Sequence, residues 1–149
     1  MMSSEILIET DVNLHDFNDT LDYIAERLIG EKLVKPSYHQ AIFEREKNFP
    51  TGIALEKHAV AIPHCEAEHA LKPAIYFIRP TKSVAFNRAD EEGTINAELI
   101  IALVVTDPKE QLKVLRILFG KLQDDEFVTS LLTADDDELT TLIHQNLTF

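Results

Sequence analysis

The sequence of 149 residues predicts an α/β fold in which helices cover both faces of a mixed β-sheet. Strand-like segments alternate along the chain with segments whose apolar residues recur at helical spacing. Two of the strand-like segments, Ala74–Ile78 and Leu99–Val105, are apolar without interruption. Such strands are typical of the centre of a sheet that is covered on both sides. We therefore expect a single layered domain, residues 1–149, that is long enough to bury a substantial core.

The composition and charge indicate which classes of protein this chain can belong to. Hydrophobic residues make up 45% and charged residues 27%, which is ordinary for a globular protein. A net charge of −12 argues against nucleic acid as a partner and is compatible with a basic protein partner, although solubility alone also explains it. We see no signal peptide and no apolar stretch of membrane-spanning length. The one cysteine, Cys65, fits the reducing cytoplasm, where we expect the protein.

The first third of the chain is predicted to form one strand and two helices. Glu5–Glu9 is short and apolar, as in a strand. Residues 14–34 carry apolar residues three and four apart, with Asn13 as the candidate helix cap and Gly30 near the end. Pro36–Asn48 is predicted as the second helix. Its predicted inward side chains are Tyr38, Ile42 and Phe43.

The middle of the chain is predicted to contain short strands and loops. A turn at Phe49–Gly52 leads to a strand at Ala59–Ile62, and a short polar connection or helical turn follows. Val84–Phe86 is interpreted as a weak strand or a loop. Asn87–Asn96 contains three adjacent acidic residues, and we interpret it as a solvated loop because adjacent acids are not staggered around a cation.

The last third is predicted to contain the strongest strand and three helices. Ala97–Thr106 is the strand, and Asp107 followed by Pro108 is a typical start of a helix. This helix is expected to end near Leu122, and two short helices follow at Asp124–Leu132 and Asp135–Leu147. The predicted inner stripe of the helix after the strand is Leu112, Leu115, Leu118, Phe119 and Leu122.

The candidate functional residue is His64. Pro63 cannot donate to a strand ladder, so it ends the preceding apolar strand and places His64 at the strand terminus. Ligands of α/β folds gather at strand ends. The residues alone leave several readings open: a zinc site, a cysteine nucleophile at Cys65, or a structural histidine. The zinc site would draw on His58, His64, Cys65 and His69, whose spacing matches no common ligand pair.

Longer motifs around His64 resemble a known family. Glu44–Ile53 and Ala59–His64, the latter reading AVAIPH, are similar to the enzyme IIA domain of the mannitol–fructose class. These domains belong to the bacterial phosphoenolpyruvate-dependent sugar phosphotransferase system (PTS). The resemblance covers essentially the whole chain, including Leu99–Val105 followed by Glu110–Leu115. Three shorter stretches most resemble the galactitol-specific branch: Pro50–Ile53, Pro63–Glu66 and Leu118–Leu122.

This resemblance implies a fold and a reaction. It implies a type-2 enzyme IIA domain over residues 1–149 with a mixed sheet of about five strands. Such a domain is a cytoplasmic phosphotransferase that accepts a phosphoryl group from phospho-HPr on His64 and passes it to a cysteine of enzyme IIB. The transported sugar or alditol would be galactitol, and the membrane would be reached only through the enzyme IIC permease. No cofactor or metal is implied, since phosphoryl transfer mainly needs alignment and charge stabilisation.

The resemblance also suggests supporting residues and one departure from the family pattern. Mannitol-type relatives carry a second histidine where this chain has Gln111, an amide that can donate to a phosphate oxygen but cannot titrate. Arg45 matches a family arginine and is a candidate phosphate or carboxylate partner, or else a helix-end cation at the surface. His58 and His69 are interpreted as ordinary polar residues that could flank the site. The alternative function is a regulatory, nitrogen-type enzyme IIA that signals by phosphorylation-dependent protein binding.

Overall fold

A computed structural model describes residues 4–147 and confirms the predicted α/β fold. A 3₁₀ turn at Ala67–His69 forms the short connection that precedes the fourth strand. None of the helices within the described residues is long and apolar enough to cross a membrane. The strands and α-helices are, in chain order, β1 (Glu5–Val12), α1 (Phe17–Gly30), α2 (Tyr38–Asn48), β2 (Gly52–Ala54), β3 (Ala59–Ala61), β4 (Ala74–Pro80), β5 (Val84–Asn87), β6 (Thr94–Ala97), β7 (Leu99–Val104), α3 (Pro108–Leu122), α4 (Asp125–Thr133) and α5 (Asp136–Asn146).

The main sheet has five strands in the order β1-β4-β7-β3-β2. It is mixed, because β1 pairs with β4 and β3 with β7 in parallel, whereas β4–β7 and β2–β3 are antiparallel. The two uninterrupted apolar segments became β4 and β7, which lie side by side in the interior of the sheet. The prediction that they are central strands is therefore confirmed.

Each face of the sheet has its own hydrophobic core. Successive side chains of a strand point to opposite faces. In β4, Tyr76 and Ile78 pack with α1, α2 and the β5–β6 ribbon, whereas Ile75 and Phe77 pack with α3, α4 and α5. Helices therefore cover both faces, as predicted.

Helix α1 is shorter than predicted at both ends. Its cap is Asp16, not Asn13: the Asp16 carboxylate accepts a hydrogen bond of 2.8 Å from the backbone N–H of Asp19. At the other end the helix stops at Gly30, and Lys32 adopts a positive φ of 59° that turns the chain away.

The predicted strand Ala97–Thr106 is in fact two strands. The chain bends at Glu98, whose carboxylate accepts from the backbone N–H of Ala59 at 3.3 Å. The residues before the bend form β6, which pairs with β5 in a separate two-stranded ribbon. The segment 87–96 is therefore largely a hairpin, closed by a 3.0 Å hydrogen bond from Arg88 N–H to the Gly93 carbonyl, rather than one long loop.

The predicted inner stripe of α3 was only partly right. The buried residues of the helix are Val114, Leu118 and Leu122, whereas Leu112 is 63% exposed and Phe119 is 46% exposed. At roughly 100° per residue, Leu112 points away from Val114. Both faces of α3 carry apolar residues at helical spacing, and packing on the sheet selected the face that contains Val114.

Candidate functional site

The candidate site lies at one edge of the main sheet. Strands β3 and β7 are parallel, so their carboxyl ends lie at the same edge. His64 follows β3, and Asp107 follows β7 at the start of α3. Pro63 ties the two ends together, because its carbonyl accepts a 3.0 Å hydrogen bond from the backbone N–H of Leu103. The predicted strand-end position of His64 is confirmed by this arrangement.

His64 is held in a defined orientation. Its side chain is largely buried, at 7% exposure, and Nδ1 lies 2.7 Å from the carbonyl oxygen of Ile62. A carbonyl oxygen only accepts, so Nδ1 of the neutral ring carries the proton and donates it to this bond. The unprotonated nitrogen is then Nε2, whose lone pair is available to accept a proton or attack an electrophile.

The surroundings keep this imidazole neutral. Burial lowers the pKa of His64, and the nearby charge of Arg45 lowers it further, while the bond to Ile62 and the charge of Glu66 act in the opposite direction. The net lowering of the His64 pKa leaves the ring uncharged and nucleophilic at neutral pH.

Gln111 lies where α3 approaches the segment after β3. Asp107 caps α3 by accepting from the backbone N–H of Lys109 at 2.9 Å, and this fixes the first turn of the helix. One turn further, Nε2 of Gln111 donates a 2.8 Å hydrogen bond to the carbonyl of Cys65, the residue next to His64. The structure therefore brings Gln111 to the His64 segment, bound to its backbone.

Arg45 approaches the same segment from the last turn of α2. Its Nη1 is 3.7 Å from a carboxylate oxygen of Glu66, and its guanidinium carbon is 5.1 Å from the ring centroid of Phe49. Within the described residues, the buried Nε of Arg45 has no hydrogen-bond partner. Arg45 thus has unused donor capacity and a loose ion pair close to His64.

The other histidines do not lie together. His69 lines a cleft of about 410 Å³ with Arg45 and Glu66, and its Nδ1 is 2.8 Å from Ser37 Oγ. His58 stands before β3, at the opposite end from His64, where it contacts Glu98 and Thr129 at 3.3 and 3.2 Å. Of these two histidines, His69 flanks the site and His58 does not.

The geometry does not support the hypotheses of a zinc site or of a nucleophilic Cys65. In the part of the chain that the structure describes, no group of three or more His, Cys, Asp or Glu side chains is arranged to hold a metal ion. Burial raises the pKa of the Cys65 thiol to about 12. The thiolate that a nucleophilic cysteine requires would therefore be scarce at neutral pH.

Sequence reasoning missed Glu46, which lies beneath the site. It is 1% exposed on the inner face of α2, and its carboxylate accepts hydrogen bonds from both the backbone N–H and the hydroxyl of Thr51. A signal was present, because Glu46 continues the four-residue spacing of the inward residues Tyr38 and Ile42.

A neutral imidazole with a free, oriented Nε2 beside an arginine suits a protein that carries a phosphoryl group on histidine. The family comparison agrees with this chemistry. The chain belongs to the family described as phosphoenolpyruvate-dependent sugar phosphotransferase system, EIIA 2, whose model matches residues 1–146. It is thus a phosphocarrier component of that system, a phosphotransferase.

A curated relative agrees with this family, and solved structures agree with its fold. The chain is 42% identical over 136 residues to the galactitol-specific EIIA component of Escherichia coli K12. The aligned residues cover 91% of each chain. The mannitol enzyme IIA of E. coli, solved in complex with phosphorylated enzyme IIB, superposes with a TM-score of 0.76 at 24% identity, covering 93% of this chain and 94% of that one. The nitrogen regulatory protein IIA-Ntr of Neisseria meningitidis has a TM-score of 0.71 at 26% identity, covering 93% and 91% of the two chains.

Proposed function

We propose that residues 1–149 form one enzyme IIA domain that accepts a phosphoryl group from phospho-HPr on Nε2 of His64. The domain then passes the group to a cysteine of an enzyme IIB, for the uptake of galactitol through an enzyme IIC permease. The observation that carries the proposal is the bond from His64 Nδ1 to the Ile62 carbonyl, which leaves Nε2 as the nucleophile. Galactitol is favoured by the 42% identity to a galactitol-specific component.

The transfer needs no proton to leave His64. The Nε2 lone pair forms a bond to phosphorus while the bond between phosphorus and the donor breaks and leaves its electron pair on the donor. The phosphorylated ring keeps its Nδ1–H and is positively charged, and the Ile62 carbonyl stabilises that charge by accepting the hydrogen bond. In the second step a partner's cysteine thiolate attacks phosphorus, and Nε2 leaves with its electron pair as the neutral imidazole.

Arg45 and Gln111 are proposed to support the phosphorylated state. The phosphoryl group itself carries roughly −1.5 to −2 charges, which the positive ring offsets only in part, on a protein whose net charge is already −12. Arg45 faces this charge from α2, and its 3.7 Å ion pair with Glu66 is loose enough to be exchanged for a phosphate oxygen. Gln111 holds the backbone at Cys65 and adds a side-chain amide at the N-terminal end of α3, where anions are favoured.

The test is labelling with phosphoenolpyruvate, enzyme I and HPr. The wild-type protein should gain one acid-labile phosphoryl group, which peptide mapping places on His64, and His64→Ala should gain none. His69→Ala is the matched control, because His69 lines the neighbouring cleft and should leave labelling intact. Labelling of His64→Ala at the wild-type level would overturn the assignment of the site.

A regulatory role is the second candidate, and the 26% identity to IIA-Ntr is the observation in its favour. The sugar-transport and regulatory functions predict different outcomes after phosphorylation. A sugar-transport component passes its label to the galactitol enzyme IIB, whereas a regulatory protein keeps the label and changes its affinity for a target protein. Addition of purified galactitol enzyme IIB to the labelled protein therefore decides between them.

A further inference from the structure

Glu46 is a buried carboxylate that the proposed reaction does not use. Its carboxylate oxygens accept from the two donor groups of Thr51, the backbone N–H at 3.2 Å and the hydroxyl. Thr51 is itself 7% exposed. Burial of a carboxylate costs several kcal/mol unless good hydrogen bonds compensate, so an apolar residue would fit this face of α2 more simply.

A short path of hydrogen bonds joins Glu46 to the imidazole of His64. The carbonyl of Thr51 accepts from the backbone N–H of Ile62 at 3.4 Å, next to the β2–β3 pairing of Gly52 with Ala61. The carbonyl on the other side of Ile62 accepts from Nδ1 of His64 at 2.7 Å. The carboxylate therefore fixes Thr51, and Thr51 holds the N–H of Ile62, whose carbonyl, in the next peptide unit, selects the tautomer of His64.

We propose that Glu46 is a positioning residue for His64: through Thr51 it holds the Ile62 carbonyl in place, and so keeps the proton on Nδ1 and the lone pair on Nε2. This role rests on the proposed function of His64 as the phosphorylated residue. Glu46 itself acts through Thr51, to which its carboxylate hydrogen bonds go.

A positioning role and a purely structural role make different predictions at the imidazole. If Glu46 only stabilises the turn after α2, its loss lowers the melting temperature and leaves the ring of His64 unchanged in the molecules that remain folded. If Glu46 positions the Ile62 carbonyl, its loss releases Nδ1 and allows the ring to take the Nε2–H tautomer. That tautomer has no lone pair on the nitrogen that attacks phosphorus.

The experiment compares Glu46→Leu with a variant of similar stability cost on the other side of the sheet. Val128→Ala is the matched control, because Val128 is fully buried in the core beneath α4. The tautomer is read from the ¹⁵N resonances of the His64 ring, at a temperature where both variants are folded. Phosphotransfer from phospho-HPr is measured in parallel.

Val128→Ala should keep the Nδ1–H tautomer and the wild-type rate. Glu46→Leu should populate the Nε2–H tautomer and lose at least about tenfold in rate. Glu46→Gln should keep most of the Nδ1–H tautomer and most of the wild-type transfer rate. Its amide can accept from the N–H of Thr51 and donate to the hydroxyl. A wild-type tautomer in folded Glu46→Leu, or a rate loss no larger than that of Val128→Ala, would overturn the positioning role.

Thr51→Val covers the case in which Glu46→Leu fails to fold. It removes the hydroxyl and keeps the backbone N–H, so a smaller shift toward the Nε2–H tautomer is expected, and an unchanged ring would contradict the proposal. The tautomer measurement does not depend on phosphotransfer. A failure of Glu46 as a positioning residue is therefore distinct from a failure of His64 as the phosphorylated residue, which the labelling of His64→Ala detects.

Discussion

At the scale of single residues, the proposed chemistry depends on which nitrogen of His64 carries its proton. One backbone carbonyl, that of Ile62, decides this by accepting from Nδ1. Burial and the charge of Arg45 lower the pKa of the ring and keep it neutral. Orientation and protonation state are thus set before any phosphoryl donor arrives, which is the preorganisation that group transfer needs.

Gln111→Leu tests the residue that we expect to stand where mannitol-type relatives carry a second histidine. Loss of a hydrogen bond to a charged group costs about 1.5–3 kcal/mol, so transfer should slow by roughly ten- to a hundredfold if the amide supports the transition state. Rates of transfer from HPr and to enzyme IIB measure this effect. Gln123→Leu is the matched control, since its amide donates to the Phe119 carbonyl at the far end of α3. If Gln111→Leu accepts the group from HPr and passes it to enzyme IIB at wild-type rates, Gln111 does not belong to the site, and only His64 is left in it.

Gln111→His extends the same test. The imidazole should keep substantial activity, because it too can donate to a phosphate oxygen. It should also add a pH dependence near neutrality, which the amide of the natural residue lacks. A rate with the wild-type pH profile would show that residue 111 does not act on the phosphoryl group.

Glu46 should make stability depend on pH. Burial raises its pKa from an ordinary 4.5 to about 7, although the hydrogen bonds from Thr51 and the charge of Arg45 act against this rise. The folded state then binds a proton that the unfolded state has released, so the stabilisation is complete below the ordinary pKa and is lost as the pH rises to about 7. The corresponding loss is on the order of 3 kcal/mol.

The measurement is the free energy of unfolding of wild type and Glu46→Gln from acid to neutral pH. The wild type should lose stability relative to the variant over this range. The neighbouring groups Tyr38 and Cys65 stay neutral throughout, since burial raises the pKa of each. A difference between the two proteins that does not change with pH would contradict the assignment of a raised pKa to Glu46.

At the scale of elements, the β2–β3 hairpin carries the site, and Gly52 allows the β5–β6 ribbon to pack against it. A Cβ at residue 52 would overlap the carbonyl oxygen of Asn87 and lie 2.9 Å from Cγ1 of Ile95, so the β5–β6 ribbon could not approach. Ala89 N–H also donates to the carbonyl of Gly52 at 2.8 Å. The ribbon and the hairpin are therefore held together at this glycine.

Gly52→Ala should destabilise the protein by about 1–3 kcal/mol, the usual cost of overpacking. Gly120→Ala is the control: among the described residues, its Cβ position on α3 meets nothing within 4 Å apart from its chain neighbours and its own helix backbone, so this change should be neutral or stabilising by up to about 1 kcal/mol. Chemical denaturation of both variants measures the difference. Equal stabilities would show that the hairpin and ribbon can separate without cost.

At the scale of the whole molecule, the acidic surface is the dominant property. A net charge of −12 attracts a basic partner and repels an acidic one over distances set by the ionic strength. Most of this charge lies on exposed side chains, whereas the ring of His64 is largely buried. The charge therefore acts mainly on how fast partners meet.

If the docking face of HPr is basic, the second-order rate of phosphotransfer should fall by about tenfold between low salt and physiological ionic strength, over which the Debye length shortens from roughly 30 to 8 Å. Stopped-flow or quenched-label kinetics at several salt concentrations measure this dependence. The hydrolysis rate of the phosphorylated protein alone is the control and should not change with salt. A transfer rate independent of salt would show that charge does not steer this encounter.

The sequence by itself determined the features that depend on local interactions. The apolar runs of β4 and β7, the Asp107–Pro108 start of α3 and the proline that ends the strand before His64 were all predicted from neighbouring residues. Each has a local physical cause: continuous apolar side chains, a capping carboxylate, or a missing N–H. The family resemblance then supplied the reaction that these residues alone left open.

Only the tertiary structure decided the features that depend on distant partners. Helix α3 has two apolar faces, and the sheet selected the one with Val114 and left Leu112 exposed. The bend at Glu98 depends on its bond to Ala59, and the role inferred for Glu46 depends on Thr51 and Ile62. Periodicity states which residues share a face but not which face is covered. Likewise, a buried carboxylate has meaning only once its hydrogen-bond partners are in place.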